Sequence, residues 1–143
     1  MTFTPINRGK AAPAAGFSAT PPDSVRLASY RPSKQSKRLL IIWLGTEVAS
    51  AIGLRDRREM VEILSDDSGG TMRVAIRRSA DGEFFASKKL RAYSVHLDAA
   101  ASALLVGDEL IGRGIVGPDR LQIEGDMVVF AMPDARLQRS AQA

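Results

Sequence analysis

Leu39-Leu40-Ile41-Ile42-Trp43-Leu44 constrains the fold more than any other stretch of this chain. An apolar run this short cannot cross a bilayer, which takes about 20 residues of helix. It fits a strand buried on both faces, or a fragment of buried helix. Ile41, Ile42 and Trp43, with Gly45 directly after, favour the strand. Beyond it, Thr46 stands where an N-cap would, and Glu47 puts a carboxylate in the first helical turn. Val48, Ala49 and Ile52 share one helical face, and Gly53 stops the helix as the residue after its C-cap. A helix of about two turns does not stand alone in water, so it must pack on its neighbours.

The chain after Gly53 reads as strands and turns. Leu54 returns it to the core, and Arg55-Asp56-Arg57-Arg58-Glu59 is a charged turn. Met60-Val61-Glu62-Ile63-Leu64 is a strand with Val61 and Ile63 inward; residues 65–70, rich in Ser, Asp and Gly, form a hairpin loop. In the next strand Met72, Val74 and Ile76 point one way and Arg73 and Arg77 the other. Asp81-Gly82 turns the chain into Glu83-Phe84-Phe85-Ala86, and residues 87–91 read as a basic connector. Residues 93–97 alternate as a strand, and Asp98 caps a short Ala-rich helix with Ala101, Leu104 and Leu105 as its apolar positions, ended at Gly107-Asp108. Residues 121–123 and 127–130 read as two strands joined at Glu124-Gly125-Asp126, with Pro133 ending the last.

Residues 1–37 have a different character. Pro5, Pro13, Pro21, Pro22 and Pro32 exclude helix, and Ala, Ser, Thr and Gly fill the gaps. Within them residues 24–30 alternate polar and apolar, which fits either an edge strand or extended coil. The domain reading is a flexible, basic, Pro-rich arm at 1–37, a β-rich domain at 38–135 and a polar tail at 136–143. Charge follows the same division. Residues 1–38 carry seven basic side chains against one acidic, residues 39–91 nine against eight, and residues 92–143 four against seven. The high pI of about 9.8 therefore belongs to the arm. A basic arm suits nucleic acid or another acidic surface, or a solvated tail.

Offset by 53 residues, the chain echoes itself. Ile42-Trp43-Leu44 falls on Val95-His96-Leu97, the first helix on residues 99–105, Ile63 on Val116, and Val74-Ala75-Ile76 on Met127-Val128-Val129. Halves 38–91 and 92–135 then each read strand, short helix, strand, hairpin, strand. Trp43-Leu44-Gly45-Thr46-Glu47-Val48, Ala51-Ile52-Gly53-Leu54 and Met60-Val61-Glu62-Ile63 together resemble the swapped-hairpin module of the AbrB, MraZ and SpoVT-like transcription regulators. The family pattern has proline where Gly45 stands and a Gly-Asp turn where Asp56-Arg57-Arg58 stands; the second half keeps Gly107-Asp108 but lacks the Leu-Gly-Leu stop. The resemblance implies a mainly β (α+β) fold: two swapped-hairpin-like halves, one short helix in each, closing a small pseudo-twofold barrel, as a monomer or homodimer. It also implies a transcription regulator that binds duplex DNA.

The residues give no reaction to set against that. His96 is the single histidine and there is no cysteine, so Cys-based and His-pair metal sites are absent from the sequence. Gly112, Gly114 and Gly117 lack the strand-then-helix setting of a phosphate loop, and no Ser sits in a nucleophile elbow. The expectation is a non-enzymatic protein without cofactor or metal, cytoplasmic and not membrane-bound, because no secretory or spanning segment is visible. The nucleic-acid candidates are Lys37 and Arg38 at the entry to the core, Arg55, Arg57 and Arg58 in the charged turn, and Arg73 and Arg77 on one strand face. The same arginines also fit a solvated face paired with Asp56, Glu59 and Glu62. The alternative function is a phage-like structural or adaptor protein that binds a protein partner through residues 1–37.

Overall fold

The computed structural model describes residues 20–106 and 113–133. Nine strands and two short helices follow one another as β1 (Val25–Tyr30), β2 (Leu39–Gly45), α1 (Thr46–Ala51), β3 (Arg58–Asp66), β4 (Arg73–Arg78), β5 (Phe84–Lys89), β6 (Ala92–His96), α2 (Ala99–Val106), β7 (Arg113–Val116), β8 (Leu121–Glu124) and β9 (Met127–Ala131). All pairings are antiparallel, and the sheet order is β7-β1-β2-β6-β5-β3-β4-β9-β8. The sheet curls into a nearly closed barrel. No described helix is long and apolar enough to cross a membrane.

Alternation along each strand builds the interior. Leu40, Ile42 and Leu44 of β2, Val25 and Leu27 of β1, Val61 of β3, Val74 and Ile76 of β4, Ala86 of β5, Val95 of β6 and Val128 and Phe130 of β9 are all buried on the inner face. β2 is the strand its composition predicts, but it is buried on one face only. Leu39, Ile41 and Trp43 point outward and stay half-buried. β6 comes closer to burial on both faces: Ala92 and Ser94 on its outer side are as enclosed as Tyr93 and Val95.

Two boundaries differ from the sequence reading. The sheet takes in β1, which lies inside the stretch assigned to the arm. β1 is not an edge strand either: β2 pairs along one side and β7 along the other. Its apolar content is Val25, Leu27, Ala28 and Tyr30 between proline-containing flanks, so composition averaged over the segment hides it. Residues 87–89 are strand rather than connector. They pair with β6, and Leu90 makes the tight turn with a φ of 56°.

The short helix α1 is held at both ends by its surroundings. No side chain caps its start. Instead the Pro22 carbonyl accepts from Glu47 N–H at 2.8 Å and Val48 N–H at 3.2 Å, so the segment before β1 closes the helix N-terminus. That approach needs Gly45, because a Cβ there would lie 2.2 Å from the Pro21 oxygen and 2.4 Å from the Pro22 oxygen. At the other end Gly53 takes φ 89°. Gly53 N–H donates to Ser50 O at 3.0 Å and Leu54 N–H to Ala49 O at 2.9 Å, the paired bonds of a Schellman stop. Val48, Ala49 and Ile52 are buried, as their spacing predicts. In α2, Asp98 caps Ala101 N–H at 2.8 Å, again as expected. Leu105 faces inward, but Leu104 is 71% exposed. Ser102 takes the inner position instead and accepts from Leu40 N–H at 2.9 Å.

Candidate nucleic-acid interface

The turn between Leu54 and β3 is built around one carboxylate. Glu59 shares the inward phase of Val61 and Ile63 and is 8% exposed. Its Oε2 accepts from the backbone N–H of Arg55 and, at 3.1 Å, from that of Asp56. Its Oε1 meets Arg78 Nε at 3.0 Å. Tyr93 donates its hydroxyl to the Asp56 carbonyl at 2.9 Å, and Arg57 O accepts from Lys88 N–H at 2.7 Å. Burial, with the charges of Glu59 and Asp56 nearby, pushes the Tyr93 phenol above its ordinary value. The hydroxyl therefore stays protonated and keeps donating at neutral pH. A backbone pinned at residues 55, 56 and 57 leaves the three arginine side chains exposed.

Arg58 is positioned further. Its guanidinium lies over the Phe85 ring, 3.8 Å from the centroid, across the β3–β5 pairing. Among the described residues, Arg55, Arg57 and Arg58 form no salt bridge. Beside the turn lies an open cleft of about 760 Å³ where Arg55 and Arg78 face Glu59 and Asp126, with Ile52 and Gly53 behind.

The other predicted positions divide differently. Arg77 sits on the outer face of β4 and pairs with Glu62 at 2.8 Å. Arg73 lies opposite Asp66 in the β3–β4 register, and its charge helps hold that carboxyl below its ordinary value, behind the hydrogen bonds from Ser68. The strand face thus carries its own counterions, as surface pairing predicts. Arg78, not Arg55, Arg57 or Arg58, takes Glu59. Lys37 and Arg38 precede β2, whereas Asp56 hangs from Tyr93, which pairs with Leu44 near the far end of that strand. The two groups are separated by the length of β2, roughly 20 Å at 3.3 Å per residue. The predicted cations therefore form two clusters at opposite ends of the barrel, with a neutralised strand face between.

No family model, curated protein or solved structure matches this chain. The site must be read from its own geometry. Among the described residues no group of His, Asp and Glu comes together in a way that could hold a metal ion. His96 is exposed at the end of β6, its pKa lowered by burial of the ring and by the charge of Lys89. Residues 1–19 of the arm, Gly107-Asp108, Gly112 and the tail lie outside the described residues.

Sequence reasoning missed Glu59 as the organiser of the turn. The signal was its phase: two before Val61 and four before Ile63, it had to point inward. Phe85 is 42% exposed and carries Arg58.

Proposed function

We propose that the chain is a non-enzymatic DNA-binding module, of the kind found in small transcription regulators, with the 55–58 turn as its principal contact. The observation that carries this is the set of three exposed arginines that form no salt bridge among the described residues, on a turn whose backbone is fixed by a buried glutamate. Guanidinium groups held in this way meet phosphate oxygens with less ordering to do on binding. The resemblance to swapped-hairpin regulators points the same way.

The reading extends to the architecture: two swapped-hairpin-like halves related by a pseudo-twofold axis. Strand pairing supports it. β2 and β6 are adjacent, and Ile42 pairs with Val95, its counterpart at an offset of 53. β4 and β9 are also adjacent, with Ala75 opposite Val129 and Ile76 opposite Val128, centred on the same offset. The strand after each helix crosses to the other half: β3 pairs with β5, and β7 with β1. On these pairings the halves are β1-β2-α1-β3 and β5-β6-α2-β7, so the first begins at Val25 instead of residue 38. One chain would then supply what two supply in a dimeric regulator. Position 108, which matches Arg55, is an aspartate, so the basic turn occurs once and the DNA face is asymmetric.

The test is a mobility shift of a short duplex at low salt. Wild type retards the duplex, and the R55A/R57A/R58A variant does so at least tenfold more weakly. Absence of any shift at low salt, where electrostatic attraction is greatest, contradicts the reading.

A further inference from the structure

The second basic cluster has a different geometry. The loop from β1 to β2 is folded on itself: Ser36 N–H donates to Ser33 O at 3.1 Å, and the two serine hydroxyls are 2.6 Å apart. It leans against the start of α2 and encloses a cavity of about 420 Å³. Arg31, Lys34, Lys37 and Arg38 line the loop side, Ala99 and Ala103 the helix side, and among the described residues no acidic side chain lines it. The two alanines are one helical turn apart and leave the space open. Asp98, the acidic residue just before the helix, is occupied in capping Ala101. Arg38 Nε is buried and has no hydrogen-bond partner among the described residues. Burial and the neighbouring charge of Arg31 lower the Arg38 pKa, the behaviour of cations gathered without a counterion.

We infer that this cavity is an anion site for a phosphoryl group, held by Arg31 and Arg38 with Lys34 and Lys37 at the mouth. Two planar guanidinium forks suit the paired oxygens of a phosphate, and two ammonium groups add charge without fixing direction. The buried Nε gains the acceptor it lacks. Chloride would neutralise charge, but as a single sphere it offers no separated acceptor oxygens to two guanidinium forks, whereas a polyoxyanion does. The phosphoryl group comes from a small phosphoanion or from a nucleic-acid backbone. The inference does not rest on the 55–58 turn, which lies at the other end of β2.

The experiment titrates the full chain with inorganic pyrophosphate by calorimetry, at constant ionic strength set with chloride. Wild type binds saturably with one site. The K34Q/K37Q variant, whose changed side chains are exposed, binds at least tenfold more weakly, and R55A/R57A/R58A binds as wild type does. A competing DNA duplex that displaces pyrophosphate identifies the backbone as the source; one that does not identifies a small phosphoanion. Absence of saturable binding to wild type, or equal affinity in K34Q/K37Q, overturns the inference. Loss confined to R55A/R57A/R58A overturns it as well. Failure of the DNA reading leaves the pyrophosphate result unaffected, so the two claims are separable.

Discussion

Gly45 and Gly53 bracket the same helix for different reasons, and substitution separates them. Gly45 has an ordinary extended backbone, with φ −62° and ψ 160°, and is required because two proline carbonyls occupy the space of a Cβ. Gly53 has open space around it but sits at φ 89°. Gly53→Ala should cost about 1–2 kcal/mol, the strain of a left-handed residue. Gly45→Ala should cost about 3 kcal/mol or more, because backbone must move. Urea unfolding of both variants measures this, and equal losses would contradict the distinction. Glu59 is the other decisive residue. Glu59→Gln keeps the shape but removes the charge that meets Arg78 and two backbone N–H groups. A loss of about 2–3 kcal/mol is expected, with weaker DNA binding although no arginine is changed. His96 gives a pH signature. Its folded pKa lies below the ordinary 6.5, so the folded state holds the ring neutral. Stability from this group is full above 6.5 and is lost as pH falls from there through the folded value. A proton NMR titration should place the midpoint of this single histidine below 6.5; a midpoint at or above it contradicts the assigned environment.

At the scale of elements, strands with clean alternation were legible. Met72, Val74 and Ile76 read correctly as an inward set, as did Val61 with Ile63, because period-two burial needs only the local residues. Both helices were legible from a stop or a cap: Gly53 for α1 and Asp98 for α2. β1 was harder, because its burial comes from β2 and β7, which are distant in sequence. The 55–58 turn was legible as a charged turn, but its rigidity was not, since Glu59, Arg78 and Tyr93 converge on it from three strands. Lys37 and Arg38, read as cations at the entry to the core, and the charged turn lie on either side of β2. A strand of seven residues between them sets them far apart. The placement of β1 makes its own prediction. A chain beginning after Tyr30 loses Val25 and Leu27 from the core, leaves β7 without a neighbour and removes the Pro22 carbonyl from the start of α1. It should lose cooperative thermal unfolding by circular dichroism. A truncated chain that melts as sharply as the full one contradicts the central position of β1.

At the scale of the molecule, a nearly closed antiparallel barrel leaves few open edges and carries its two basic clusters at its ends. One end holds arginines on a fixed turn; the other holds a basic loop folded over α2. This division explains why net charge alone said little: the strand face pairs its own charges, while Arg55, Arg57 and Arg58 at one end and Arg31, Lys34, Lys37 and Arg38 at the other form no salt bridge among the described residues. The central claim is that the 55–58 turn contacts DNA phosphates. It is tested most directly by the salt dependence of duplex binding, measured by fluorescence anisotropy for wild type and R55A/R57A/R58A. If each arginine displaces one counterion, the slope of log K against log salt should be shallower in the variant by about 2.7, or 0.9 per lost phosphate contact. Equal slopes, or no binding by wild type at low salt, would contradict the account.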